Sequence, residues 1–495
     1  MGGGLPDLLR AAAARGAYPV GHRRASVASR GLLALPRGKR DAVVEPMPSL
    51  PQPARGTAPG RPHGVFFGWR VAATASATAL FSWGMGFFGP AIYLRTLLTE
   101  HGWAVSAVSA AVTTHFLVAA ALVSFLPEAH RRFGVAGITR AGVALLAAGA
   151  LGWASAREPW QAFAAAVLSG AGWAATNGAA LNAMVAPWFE RRRPAALAMA
   201  FNGGAVGGVL FPPLWVALIA GLGFPGAAAA VGAAALLVLW PLAGRHLRPT
   251  PASLGLAPDG GAAAGASTPA TDDAAAGPPR SPPAPARPGR LALLRERRFA
   301  TMSVAFALCM SALVGLYAHM LALLAPRLGD TAAAGALSLA AGCMVAGRTG
   351  VGWILSRGGS RRGAAAATFG VQACGGGALL LGAVVMPPGT ESVAAALGGC
   401  ALLGLAGGNL GVLPLLIVQA EFGRTDAPRA AAMAVAMNQA VMACAPGIFG
   451  ALRDLTGSYL PALVLAIVAP LVATRLVLAG ATGGGHHSPR CGTAH

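Results

Sequence analysis

Twelve apolar runs, each near the roughly 20 residues that cross a bilayer as a helix, dominate this 495-residue chain. They lie near 68–92, 105–127, 138–156, 160–185, 194–219, 224–244, 299–324, 333–356, 364–386, 391–419, 429–452 and 458–479. The third is short, and the boundaries are soft by a few residues. In lipid each run must satisfy its own backbone polar groups, which a helix does. Composition agrees. Hydrophobic residues make up 55%, charged residues only 11%, and mean hydropathy is +0.60. A soluble chain carries about 25% charged residues, so an ordinary cytosolic enzyme and a wholly disordered protein are both excluded. Abundant Ala, Gly, Val and Leu with 6% aromatics suit close-packed membrane helices. The expected fold is an all-α membrane protein of twelve transmembrane helices in two pseudo-symmetric six-helix halves.

The charged loops test that count. Short cytoplasmic loops are rich in Lys and Arg. Arg131 and Arg132 follow run two, and Arg191, Arg192 and Arg193 follow run four. Arg290, Arg295, Arg297 and Arg298 precede run seven; Arg357, Arg361 and Arg362 follow run eight; Arg424 and Arg429 follow run ten. The intervening loops carry far less: Glu100, Arg157 with Glu158, nothing in 220–223, Arg327 with Asp330, Glu391, and Arg453 with Asp454. A miscounted helix breaks this alternation. It places both termini in the cytoplasm. The net charge of +21 is nearly all Arg, with Lys39 the one lysine. Arg and Ala dominance signals a GC-rich coding bias, and a bacterial inner membrane is the expected location. No compact basic domain is visible, so nucleic acid is not an expected partner.

Residues 1–63 carry ten Lys/Arg and three Asp/Glu with too little apolar surface to offset chain entropy, and are expected to be a disordered basic leader. Met47 is an alternative start. Residues 64–246 are expected to form the first half and 298–480 the second. Between them 247–297, with ten prolines, is expected to be a cytoplasmic linker, and 481–495 a disordered tail. The six cysteines show no CxxC. His486, His487, Cys491 and His495 match no metal-site spacing, and neither metal nor cofactor is expected.

The halves share an internal repeat. Residues 193–202, RPAALAMAFN, match 429–438, RAAAMAVAMN, with Arg193 on Arg429 and Asn202 on Asn438. Asn177 in run four and Asn409 in run ten sit at a similar offset. Duplicated halves are typical of transporters, with binding near the bilayer midplane between them.

Three segments carry a family likeness. Gly102-Trp103-Ala104-Val105-Ser106 precedes run two. Trp188-Phe189-Glu190-Arg191-Arg192-Arg193 leads to Gly203, Gly204, Gly207, Gly208 and Pro212. Gly450-Ala451-Leu452-Arg453-Asp454-Leu455-Thr456-Gly457-Ser458-Tyr459 closes run eleven. In order and spacing the chain resembles the major facilitator superfamily over about 65–480, and within it the monocarboxylate-porter and oxalate/formate-antiporter-like branch. That resemblance implies a transporter, not an enzyme. The sequence departs from it where Arg131 and Ser356 replace the loop acids that help latch the halves. Run eleven also lacks the lysine of some oxalate-type relatives and carries Asn438 and Gln439 instead, which argues against a dianion.

Arg348 lies well inside run eight. A mid-helix arginine costs roughly 2.5–3.5 kcal/mol on insertion scales and usually faces a cavity, and its planar fork suits a carboxylate. The resembled branch has an arginine in helix eight that is taken to engage the substrate carboxylate. Snorkelling to the headgroups is the structural alternative. His115 and His319 are mid-span imidazoles that titrate near neutrality, while a hydrogen-bonded structural role is commoner for such residues. No Asp or Glu lies mid-run, so a coupled proton has to ride on a histidine or on the substrate. Asn177, Asn202, Asn409, Asn438 and Gln439 complete the expected substrate-binding set, with inter-helix hydrogen bonds as their bland role. The arginines Arg131, Arg132, Arg191, Arg192, Arg193, Arg357, Arg361 and Arg362 form expected cytoplasmic gating loops.

The expectation is a monomeric secondary transporter moving a small organic anion, a monocarboxylate, by alternating access, with the lipid bilayer and protons as further partners. The alternatives are a transporter-fold sensor or scaffold, and a porter for a neutral or drug-like solute. A membrane enzyme ranks low, because the spans hold no HExxH and no GxSxG with partners.

Overall fold

The computed structural model describes residues 66–260, 290–422 and 426–480, all within one compact unit. The leader 1–63 with Met47, the linker portion 261–289, Arg424 and the tail 481–495 fall outside the described residues. Ten helices are long and apolar enough to cross a membrane. One of them, Arg193–His246, is two spans: Gly223, at φ 69 and ψ 169, breaks it in the uncharged stretch the sequence marks as a loop. A further span, Pro159–Thr176 followed by Ala179–Val185, is interrupted at Asn177 and Gly178. Together these supply the twelve crossings that the arginine alternation requires.

We number the crossings in chain order. Phe67–His101 is α1, Val105–Val123 is α2 and Leu126–Ser155 is α3. The interrupted pair Pro159–Thr176 and Ala179–Val185 is α4. The two arms of Arg193–His246 are α5 and α6. In the second half Arg297–Leu328 is α7, Asp330–Ser356 α8, Arg361–Val385 α9, Thr390–Glu421 α10, Ala427–Thr456 α11 and Leu460–Ala479 α12. The third span is longer than its apolar run, because its first turns, carrying Glu128, Arg131 and Arg132, precede a break at Gly134.

Small residues let the backbones touch. A Cβ at Gly203 or Gly207 of α5 would strike the carbonyls of Ser76 and Leu80 on α1. The halves repeat one such contact. Gly170 of α4 lies on the His115 carbonyl of α2, and Gly404 and Gly408 of α10 lie on the Ala340 and Met344 carbonyls of α8. The repeat extends to helix breaks. Asn177 caps the break in α4 and Asn409 ends the first piece of α10.

The contacts joining the two halves gather at the end away from the arginine loops. Arg95 pairs with Asp330 at 3.0 Å, and Ser338 Oγ donates to the Val209 carbonyl at 2.7 Å. Gly447 N–H donates to Thr113 Oγ1 at 2.8 Å and Ser106 N–H to Asp454 Oδ2 at 2.7 Å. Gly450 seats directly on Ser109. Among the described residues the hydrogen bonds and ion pair that join the halves lie at that end or midway along the helices, and none lies at the arginine end.

The start of the linker is folded against the first half. Asp259, in the left-handed region at φ 61, accepts the backbone N–H groups of Glu190, Arg191 and Arg192 at 3.2, 2.7 and 3.2 Å, and its own N–H donates to the Trp188 carbonyl at 3.0 Å. The N–H of Arg191, aided by those of Arg192 and Glu190, holds this carboxyl below the usual carboxylate range.

Candidate functional site

Arg348 lies on α8 within two turns of residues that touch the other half. On α8, Ser338 and Ala341 touch α5, the latter against Gly208. Arg348 is seven residues past Ala341. Seven residues are two turns within about 20°, so it occupies nearly the same helix face about 10 Å nearer the arginine end. Its Nε donates to the Gly408 carbonyl of α10 at 3.1 Å. That bond holds the guanidinium against α10. The ion pairs among the described residues are Arg95–Asp330, Arg131–Glu128 and Arg362–Glu421. None compensates Arg348, which is part-buried.

Where the halves meet, α1 contributes an aromatic shelf. The segment Trp83–Phe87, WGMGF, winds as one π turn, a feature common at functional sites because it re-aims side chains. The turn is braced from behind: Trp215 Nε1 donates to the Gly84 carbonyl at 3.2 Å and Tyr93 Oη to that of Met85 at 3.1 Å. Trp83 and Phe87 pack at 5.1 Å between ring centroids, and Phe87 stacks on the buried Trp173 at 6.2 Å. Trp83 is fixed by its Nε1, which donates to Asn177 Oδ1 at 2.9 Å. Phe87 and Phe88 reach the second half at Tyr317, 6.1 and 6.2 Å away. Trp83 sits on Gly204, one turn from Gly208 toward the arginine end. It is thus about 6 Å below the closed contact, where Arg348 is about 10 Å below it.

The other expected site residues divide. Asn177 orients the shelf. Asn409 is buried, and its Nδ2 donates to its own helix at the Leu405 carbonyl, adjacent to the Gly408 that Arg348 binds. His115 is buried between α2 and α4, its Nδ1 2.9 Å from Ser169 Oγ, which also accepts from Trp153 Nε1. His319 lies not beside Arg348 but in the closed contact. Its Nε2 is 3.0 Å from the Pro446 carbonyl and 3.3 Å from Ser109 Oγ, its Nδ1 3.3 Å from Tyr459 Oη, and its ring stacks on Phe449. Asn438 is buried with an unpartnered Oδ1, Gln439 is half-buried and Asn202 exposed.

The loop arginines engage within their own halves. Arg131 pairs with Glu128 and Arg132 lies over Phe133. Arg193 Nη2 donates to Asn182 at 3.1 Å. Arg357 lies over Trp353. Arg191 and Arg192 hold Asp259 through their backbones, as above. Arg361 lines a cavity of about 330 Å³ with Arg298, Ser360, Arg362 and Glu421. Arg362, 5% exposed, binds Glu421 through two nitrogens at 2.6 and 2.7 Å and the carbonyls of Val477 and Arg298 at 2.8 and 3.0 Å. Sequence reasoning missed Phe87, Tyr317, Glu421 and Asp259. Tyr317 is buried with an unpartnered Oη. The WGMGF run, aromatics spaced by glycines in an aromatic-poor chain, was the available signal for the shelf.

The profile of the Major Facilitator Superfamily matches residues 74–450. The chain belongs to that superfamily. It is a multi-pass membrane transporter rather than an enzyme, and its fold is that of secondary transporters. Among solved structures, the nucleoside transporter NupG resembles this superfamily member with a TM-score of 0.62, and a point variant of NupG with 0.63. Both are 12% identical and cover 84% of this chain and 99% of their own. At that identity the likeness carries the fold alone. No curated protein matches the sequence.

Proposed function

We propose that this transporter carries a small organic anion, a monocarboxylate, and that Arg348 is its seat. The supporting observation is a part-buried guanidinium, bound to the Gly408 carbonyl, with no acidic partner among the described ion pairs. An unpaired charge away from water is costly, and a bound carboxylate offsets that cost through charge-assisted, bidentate hydrogen bonds. Its Nε is already committed to Gly408, which orients the fork before substrate arrives. The arginine alternation supports an arginine end that faces the cytoplasm of a bacterial inner membrane, so the state described is open inward. The two halves then rock about the site to give alternating access. His115 binds Ser169 through Nδ1 and His319 sits in the closed contact, so neither is assigned a coupled proton.

The test is uptake of labelled pyruvate, acetate and uridine into proteoliposomes by the wild type and Arg348→Gln. Saturable uptake of a carboxylate, lost in the variant, is the expected result. Saturable uridine uptake with no carboxylate flux contradicts the proposal and favours a neutral solute, the kind of substrate named for the solved relative.

A further inference from the structure

The site specifies more than a charge. We propose that the transported carboxylate carries a planar aromatic ring, held on the Trp83–Phe87 shelf while its carboxylate meets Arg348; this rests on the anion reading above. Three observations carry it. First, Trp83 and Phe87 are both only partly buried, with their rings at 41° and 5.1 Å, so neither is fully enclosed by the core it packs against. Second, the shelf is built before any ligand arrives. Trp83 is pinned by Asn177, Phe87 is backed by Trp173, and the π turn beneath is braced by Trp215 and Tyr93. Such pre-organisation favours binding by reducing the ordering cost. Third, the two residues sit at neighbouring depths: counted along α5 and α8 from the Gly208–Ala341 contact, the register positions of Trp83 and Arg348 are about 6 and 10 Å toward the arginine end. A flat ring gains offset or edge-to-face contacts on such a shelf that a puckered saturated ring of equal size does not.

The test uses the purified full-length transporter and dissociation constants from thermal-shift titration with benzoate, phenylacetate and the saturated cyclohexanecarboxylate. The wild type is expected to bind the two aromatic acids about tenfold more tightly than the saturated one. Trp83→Leu should erase that preference by weakening the two aromatic acids more than cyclohexanecarboxylate, and Trp83→Phe should restore most of it. Equal binding of all three acids by the wild type, or a preference that survives Trp83→Leu, overturns the aromatic inference and leaves the anion reading standing. Arg348→Gln separates the two. Wild-type binding of every acid in that variant overturns the arginine assignment instead. Should Trp83→Leu fail to fold, Phe87→Leu is expected to weaken the same preference.

Discussion

A single methyl group at Gly450 should unseat the closed end of the molecule. In the present state a Cβ on Gly450 stands 2.5 Å from Ser109 Cβ and 3.1 Å from the Val105 carbonyl, closer than carbon and backbone tolerate. Neither neighbour is free to yield. Ser109 Oγ donates to Val105 and adjoins His319, and α2 is fixed to α11 on both sides by Ser106–Asp454 and Thr113–Gly447. Overpacking of this kind costs about 1–3 kcal/mol. It acts on one conformation only, because the contact dissolves when this end opens. The equilibrium between the two states therefore shifts by roughly 5- to 150-fold. Spin labels at Glu100→Cys and Glu391→Cys, both exposed at this end in opposite halves, report the separation by pulsed EPR. Gly450→Ala should add or enlarge a long-distance population. Adding Ser109→Gly, which vacates the space, should restore the short one. An unchanged distance distribution in Gly450→Ala refutes the assignment of this contact as the point where the halves close.

Arg362→Ala leaves Glu421 unpaired and two carbonyls without their donor, and should cost about 3–5 kcal/mol, as for a broken buried pair; thermal unfolding in detergent measures it, and an unshifted transition contradicts the network. Asp259→Asn should weaken the docking of residues 247–260, read as faster amide exchange at Glu190, Arg191 and Arg192. Because the folded state lowers the Asp259 pKa, its stabilisation is fully present above the ordinary value near 3.9. It disappears as pH falls through the lower folded value, so the exchange difference between wild type and variant should vanish only at strongly acidic pH. His115→Ala and His319→Ala should leave the proton-to-substrate ratio unchanged in a pH-gradient uptake assay. A ratio altered in either variant assigns the coupled proton to that histidine.

The crossings were legible because lipid forces a simple rule: apolar runs of one length, punctuated by arginine on alternate sides. The uncharged stretch 220–223 was read as a loop and holds the Gly223 break, whereas the break at Asn177, inside run four, was not anticipated. Arg348 stood out for the same reason, as a charge where oil is expected. Other features turn on residues distant in sequence. His319 looks like a cavity histidine until Ser109, Pro446 and Tyr459 are seen converging on it. Asp259 sits in a proline-rich stretch whose composition says linker, and only three backbone N–H groups nearly seventy positions earlier reveal it as a clasp. The shelf depends on a π turn, which is a local shift of hydrogen-bond register with no periodicity to detect.

Position 348 is proposed as the carboxylate seat, reached from the arginine end. Its most direct test is Arg348→Cys in an otherwise cysteine-free protein, exposed to a charged, membrane-impermeant thiol reagent from either side of sealed, oriented vesicles. The account predicts rapid labelling from the arginine-loop side alone, slowed by a bound carboxylate. A thiol that reacts only with a lipid-soluble reagent, or from the opposite side, contradicts it.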